Sequence, residues 1–257
     1  MTRFDRRALF ASGAAAALLA ATGAAAVPQR GGRLRAALSE GLFAQAVTAT
    51  VYDNLTEIAA DGTLRGELAT EWSSNADATT WRFTLRDGVA FHDGTALDAQ
   101  AVTSLPLNVT VRGAHEVEIC LSAPNPNLPY VLAKPWFEVR AGNGAGTGLY
   151  RPSTQTQRHF IAHRVEDHWK RGAGWFDTVE FVQFSADHVR GEALRDGLVD
   201  VADVVTLDDY ADPRDFQTLP TAHAPTHIAS RAVTVPVTVG KSWPLDNLRM
   251  AERWWMT

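Results

Sequence analysis

The side chains best suited to chemistry are grouped but do not converge. His159, His163 and His168 lie beside Glu166 and Asp167, and His223 and His227 bracket Pro225. Imidazoles and carboxylates hold a transition metal only when three or four of them meet at one point. A spacing of four would put His159 and His163 on one helix face, but Arg158 to Val165 alternates like a strand. On a strand they share a face yet stand too far apart for one ion. No compact His/carboxylate motif follows, and no metal site is expected. Gly-x-Ser-x-Gly, His-Glu-x-x-His and Gly-x-x-x-x-Gly-Lys-Ser/Thr runs are absent, and no Ser/His/Asp spacing stands out, so the chain reads as a non-enzyme with no cofactor. Cys120 is the one cysteine, which excludes an internal disulfide. It shares a strand face with Glu116 and Glu118 rather than with the cations that a reactive thiolate needs, so it reads as structural.

Binding residues are better represented. The run Arg140-Ala-Gly-Asn-Gly-Ala-Gly-Thr-Gly148 is the clearest loop. Its glycines either let backbone amides approach a ligand or permit tight turns, and both readings stand. Trp72 and Trp81 sit in strand patterns and read as core. Trp136 and the Trp254-Trp255 pair stand outside such patterns and suit a contact surface or a covered edge.

The elements that must carry these residues are mostly short strands with a few helices. Gly32 to Leu38 is a first strand. Phe43, Ala46, Val47, Val51 and Leu55 recur at helical spacing. Thr56 to Ile58 is a strand, and Ala60-Asp61-Gly62 a turn. In Trp81-Arg-Phe-Thr-Leu-Arg86 the apolar Trp81, Phe83 and Leu85 alternate with Arg82, Thr84 and Arg86, which predicts a half-buried strand. Leu97 to Leu105 is expected to be a short helix. Val109 to Val111 should pair with Val117 to Leu121 across Arg112 to His115. A short apolar helix is expected around Tyr130 to Ala133. Arg158 to Val165 and Val179 to Phe184 read as strands. Ser185 is the expected cap of a helix ending near Arg195, with Gly197 as its stop. Asp200 to Val205 is expected as the final strand, followed by a polar stretch with weak periodicity from Asp208 to Ala224.

The amino terminus concerns location. Met1 to Arg7 is basic, Ala8 to Ala25 is apolar and Ala-rich, and Ala24-Ala25-Ala26 precedes Val27-Pro28. That pattern is an export signal, and Arg6-Arg7 points to the twin-arginine route. Cleavage after Ala26 leaves about 231 residues, enough for one large domain or two small ones. It also removes three arginines and one aspartate, making the formal charge of −5 more negative by two. That balance disfavours nucleic acid and anionic lipid as partners. No cysteine near the cleavage point offers a lipid anchor, so the mature form is expected to be free in the periplasm.

Several segments, taken in order, resemble one known family. Val51-Tyr-Asp-Asn-Leu55, Glu67-Leu-Ala-Thr-Glu-Trp72, Ala99-Gln-Ala-Val102, Gly146-Thr-Gly-Leu-Tyr150, Leu194-Arg-Asp-Gly-Leu-Val-Asp-Val201 and Pro244-Leu-Asp-Asn-Leu-Arg249 each carry part of the likeness. The most specific is Trp81-Arg-Phe-Thr-Leu-Arg-Asp-Gly-Val-Ala-Phe-His-Asp-Gly94, unbroken in register. Together they resemble the family 5 extracytoplasmic solute-binding proteins of peptide and nickel ABC importers, over roughly residues 32–205.

The resemblance implies a mixed α/β (α+β) fold. It would be a type II periplasmic-binding-protein-like lobe, with a twisted mixed sheet and flanking helices. Family members are about twice as long, so the second lobe is expected to be largely missing. Residues 1–26 would then be the signal, 27–205 the lobe and 206–257 an irregular remnant of the crossover. The implied function is non-catalytic capture of a peptide or similar small solute for an ABC permease. The alternative is a degenerate single lobe that acts through protein contacts or as a homodimer. The groove-facing residues implied are Ser39, Leu42 and Phe43 after the first strand, Trp136, and Gly148 and Tyr150 at the end of the Gly-rich loop.

Overall fold

A computed structural model describes residues 31–59, 62–170, 173–174 and 176–205, and the backbone of 216–219 and 226–230. The expected export signal, the turn residues Ala60 and Asp61, His223, the His227 side chain and Trp254-Trp255 lie outside these described residues.

The fold is mixed α/β, built on two main sheets. Its strands in chain order are β1 (Arg33–Leu38), β2 (Asp53–Asn54), β3 (Thr56–Ile58), β4 (Leu64–Gly66), β5 (Ala69–Ser74), β6 (Thr80–Leu85), β7 (Asn108–Gly113) and β8 (Glu116–Cys120). They continue as β9 (Glu138–Val139), β10 (Tyr150–Gln155), β11 (His159–Arg164), β12 (Thr178–Gln183), β13 (Val201–Val204), β14 (Phe216–Leu219) and β15 (Thr226–Ser230). The helices are α1 (Glu40–Val51), α2 (Leu128–Leu132) and α3 (Asp187–Arg195).

The larger sheet runs β10-β11-β12-β1-β13-β15-β14. β1 is parallel to both β12 and β13, and the other pairs are antiparallel. A parallel strand needs a crossover, and crossovers cover the sheet. One face of β1 joins a core with α1, containing Leu34, Ala36, Leu38, Phe160 and Phe181. The other face packs Ala37 and Ala202 against Ala193 and Leu194 of α3. All four residues of β13 are buried, as a strand covered on both sides requires.

The smaller sheet runs β5-β6-β8-β7 and is antiparallel throughout. Trp81, Phe83 and Leu85 are buried while Arg82 and Thr84 are exposed, so the alternation in this segment reports one covered face. Val109 faces Ile119 and Val111 faces Val117, the expected hairpin.

Four expectations need correction. The first helix begins at Glu40 and ends at Val51. Leu55 keeps the helical spacing but is buried in the other core, because Asp53 and Asn54 turn into β2. Leu97 to Leu105 forms only a 3-10 turn at Ala101–Ser104. The Leu97 and Ala99 amides donate to Val89 and Ala114 carbonyls instead of to a helix. Ala186 occupies the N-cap position of α3 with no side-chain cap, and the Ser185 carbonyl accepts from Arg190. Val201–Val204 is not the final strand: β14 and β15 extend the sheet, so residues 206–257 are not wholly irregular. Pairing supplied by β13 outweighs the weak local periodicity there.

Tyr150–Gln155 carried no clear strand signal because of Pro152. It is one of the sheet's two edge strands, with a register shift between Pro152 and Thr154, where a proline is tolerated. Gly197, at φ +68, stops α3 as expected. No helix among the described residues is long and apolar enough to cross a membrane.

Candidate solute groove

Helix α1 carries two stripes. Phe43, Ala46, Val47, Thr50 and Val51 are buried against the large sheet. On the opposite side Gly41, Ala44, Gln45, Thr48 and Ala49 repeat at helical period and line a cavity of about 300 Å³. These are small or polar residues, so the helix presents space and hydrogen-bonding groups rather than bulk. Ala133, Pro135, Trp136, Glu138 and Arg140 form the facing wall, and Asn54 also lines the cavity. The volume is at the lower end of small-ligand pockets.

The facing wall is held by specific contacts. Asn54 Nδ2 donates to the Leu132 and Lys134 carbonyls, each at 2.9 Å. Asn54 and Glu138 are partners in the β2–β9 pair. Trp136 is 82 % exposed and has φ +82, a backbone region that costs a non-glycine residue ~1–3 kcal/mol. Its N–H donates to Glu138 Oε1 at 2.9 Å, which offsets part of that cost. Arg140 Nη2 is 3.7 Å from Glu138 Oε2, beyond hydrogen-bond reach. The Arg140 guanidinium lies 4.2 Å from the Tyr52 ring centroid, a cation–π contact. The result is an indole, a buried carboxylate and a stacked guanidinium side by side on one wall.

A buried polar joint lies behind that wall. Lys170 Nζ donates to Asp53 Oδ1, and to Glu67 Oε1 at 2.8 Å. Thr147 Oγ1 donates to Asp53 Oδ2 at 2.8 Å, and Glu67 Oε2 accepts the Asn54 N–H at 2.7 Å. Asp53 and Glu67 are 2 % and 1 % exposed; burying two carboxylates is sustainable only with a cation and donors in place. Burial, opposed in part by Asp53, pushes the His168 imidazole down to about 4. Burial likewise lowers His92, whose Nε2–H donates to the Gly148 carbonyl at 2.8 Å.

The expected site residues are dispersed by this architecture. Of the six, only Trp136 lines the cavity. Ser39 caps α1, and its N–H donates to Asp203 Oδ1 at 2.8 Å. Leu42 packs on the core from a half-buried position, while Phe43 and Tyr150 are core residues at 7 % and 0 % exposed. At Gly148 an added Cβ would lie 2.4 Å from the Thr50 carbonyl oxygen, and at Gly146 it would lie 2.0 Å from that of Val51. Gly146 and Gly148 are thus needed for close packing on the end of α1, which neither reading foresaw, while Gly144, at φ +85, serves a turn. Asp93 is a turn residue, accepting from Thr95 and from Asn143 Nδ2 of that loop.

The strand reading of Arg158 to Val165 holds. His159 pairs with Glu180 at 2.6 Å and His163 contacts Thr178, so both serve the β11–β12 pair. No metal-holding cluster occurs among the described residues. Gln45, Thr48, Asn54, Glu138 and Arg140 were not anticipated. The complement of the apolar stripe on α1 was the one signal able to reveal the first two.

Comparison with known proteins gives this geometry a context. A family model described as bacterial extracellular solute-binding proteins, family 5 Middle, matches residues 63–247. The glutathione-binding protein GsiB of Salmonella paratyphi A is 25 % identical over 242 residues, covering 82 % of this chain and 46 % of that protein. The PBP AgaA from A. tumefacien R10, solved with agropinic acid, superposes with a TM-score of 0.66 at 24 % identity, over 73 % of this chain and 48 % of that one. The ABC transporter-associated periplasmic binding protein DppA from Helicobacter pylori, solved with the peptide STSA, gives 0.64 at 15 % identity, over 74 % and 51 %. These two structures establish the periplasmic-binding-protein fold, and the chain spans about half the length of the relatives it matches. With a family model matching well over half of its residues, the chain belongs to the bacterial extracellular solute-binding proteins of family 5.

Proposed function

We propose that this chain is a non-catalytic solute-binding component of an ABC-type importer, and that its share of the solute site is the groove between α1 and residues 133–140. The observation that carries the reading is the open stripe of α1 facing Trp136, Glu138 and Arg140 across about 300 Å³. The solute class favoured is a short peptide or similar zwitterion. Arg140 suits a carboxylate, Glu138 suits an ammonium or amide N–H, and Trp136 suits an apolar or cationic group. Family membership supports the class, and relatives named for glutathione or solved with a peptide agree with it. Of the six residues that the family resemblance implied, we keep Trp136 as a contact; Ser39, Leu42, Phe43, Gly148 and Tyr150 serve to position the groove.

The amino-terminal pattern supports export to the periplasm by the twin-arginine route, and family membership supports a permease as partner. Replacing Arg6 and Arg7 by lysine should leave the precursor in the cytoplasm, as read by cell fractionation. Calorimetry and thermal-shift measurements with di- to pentapeptides and glutathione test the binding itself. Stabilisation that Arg140→Ala abolishes is the expected result. A folded protein that none of these solutes stabilises overturns the reading. A second reading, action through protein contacts or as a homodimer, draws on the exposed indole of Trp136. It requires a dimer in sedimentation that Trp136→Ala disperses.

A further inference from the structure

We propose that His168 is a positioning residue for the groove. Its neutral imidazole closes a buried hydrogen-bond chain that clamps β2 against β9, and protonating it loosens the groove wall.

Both ring nitrogens of His168 are committed. Nε2 lies 2.7 Å from the Thr147 carbonyl, so it must donate, and Nδ1 accepts the Lys170 backbone N–H at 3.0 Å. Only the neutral ring with its proton on Nε2 makes both bonds. A second proton, on Nδ1, would face the Lys170 N–H with no acceptor left.

The chain then runs to the groove in two branches. Through Thr147, its hydroxyl holds Asp53 Oδ2 at 2.8 Å. Through Lys170, the ammonium holds Asp53 Oδ1 and Glu67 Oε1, and Glu67 Oε2 takes the Asn54 N–H. Asp53 opposite Val139, and Asn54 opposite Glu138, are the whole of the β2–β9 pairing. The groove-lining Asn54 is therefore fastened by groups that end on one imidazole, and Glu138 stands opposite it as its partner on β9.

The charged and titratable groups around the ring pull in both directions. Asp53 from β2 favours a proton, whereas Lys170 and His92 oppose it; Arg151 from β10 acts on His92. Glu67 is linked to the ring through Lys170. Burial is the largest influence and keeps the ring neutral down to about pH 4. The loosening is thus an acid response, absent at neutral pH. Its consequence for solute capture rests on the groove reading above, but the clamp itself is measurable without any solute.

Hydrogen–deuterium exchange on the full chain, corrected for intrinsic rates, reads the clamp at residues 53–54 and 138–140 against the β11–β12 pair. In the wild type, acidification below about pH 4 should cost the β2–β9 amides at least ~tenfold in protection while β11–β12 stays protected, since a unit of pH past the transition is a tenfold change. His168→Gln keeps one donor and one acceptor but does not titrate, so it should retain protection at acid pH. His168→Phe keeps the bulk and loses both bonds, so β2–β9 should be unprotected at every pH. If His168→Gln loses protection at the same pH as the wild type, the carboxylates are responsible and the proposal fails. It also fails if His168→Phe protects β2–β9 normally at pH 7. Should His168→Phe not fold, the wild-type and Gln arms decide. Absence of solute binding in calorimetry would bear only on the groove reading.

Discussion

β1 of the large sheet and β6 of the small sheet are buried by different rules, and the seam between the sheets holds the groove. In the large sheet, neighbouring residues Ala36 and Ala37 of β1 are both 0 % exposed and enter different cores. In the small sheet, Phe83 is 0 % exposed and its neighbours Arg82 and Thr84 face outward. Parallel strands joined by crossovers are covered on both faces, whereas an antiparallel meander can leave one face in water. A strand covered twice tolerates little change at any position. One covered once tolerates change at every second position. One buried polar joint lies at β2 and the loops that join the sheets, and a second, Arg190 with Asp203, ties α3 to β13.

That contrast orders the expected effects. Lys170→Met removes the cation at the seam and leaves Asp53 and Glu67 facing each other, so unfolding should become easier by ~3–5 kcal/mol, measured by urea denaturation. A loss under 1 kcal/mol would mean that the two sheets do not depend on this joint. The next effect is pH dependence. His168 is depressed in the folded protein to about 4, so the unfolded chain takes up its proton first as pH falls. Its contribution is complete above about pH 6.5, declines below that and is gone once pH passes about 4. The sum is on the order of 3 kcal/mol, and His168→Gln should flatten that part of the stability–pH curve.

A direct test of the burial contrast pairs two substitutions. Ala37→Leu overfills a strand packed on both faces and should cost ~1–3 kcal/mol. Thr84→Leu adds similar bulk on the open face of β6 and should stay within ~0.5 kcal/mol. Equal penalties would dissolve the distinction. The smallest effect concerns Trp136. Trp136→Gly relieves a left-handed backbone and should leave stability unchanged or raise it by up to ~1 kcal/mol, while weakening solute binding in calorimetry. Improved stability with lost binding would mark strain kept for function.

Several elements were legible in the chain because their information is local. The alternation Trp81, Phe83, Leu85 defines β6, and the two valine-bearing segments flanking Arg112-Gly113-Ala114-His115 define the β7–β8 hairpin. The unbroken run from Trp81 to Gly94 carried the family. Leu97 to Leu105 has a helical pattern but little helix, because the Leu97 and Ala99 amides are claimed by the Val89 and Ala114 carbonyls, partners set by the tertiary fold. β14 and β15 are not legible locally, because sheet extension depends on an edge that β13 provides.

What the sequence determined alone was the class of protein. Residue order, periodicity and the export-like start are properties of the chain itself. What only the tertiary structure decided was which residues meet. Asp53 and Lys170, which pair, and Gln45 and Arg140, which line one cavity, are distant in sequence, and no local spacing encodes their placement. Side chains such as Phe43 and Tyr150 have the chemistry of a binding site but are consumed by the core. Trp136 escapes it through one residue's backbone turn and a hydrogen bond to Glu138. Contact is settled by packing in three dimensions, and that is where the groove is made.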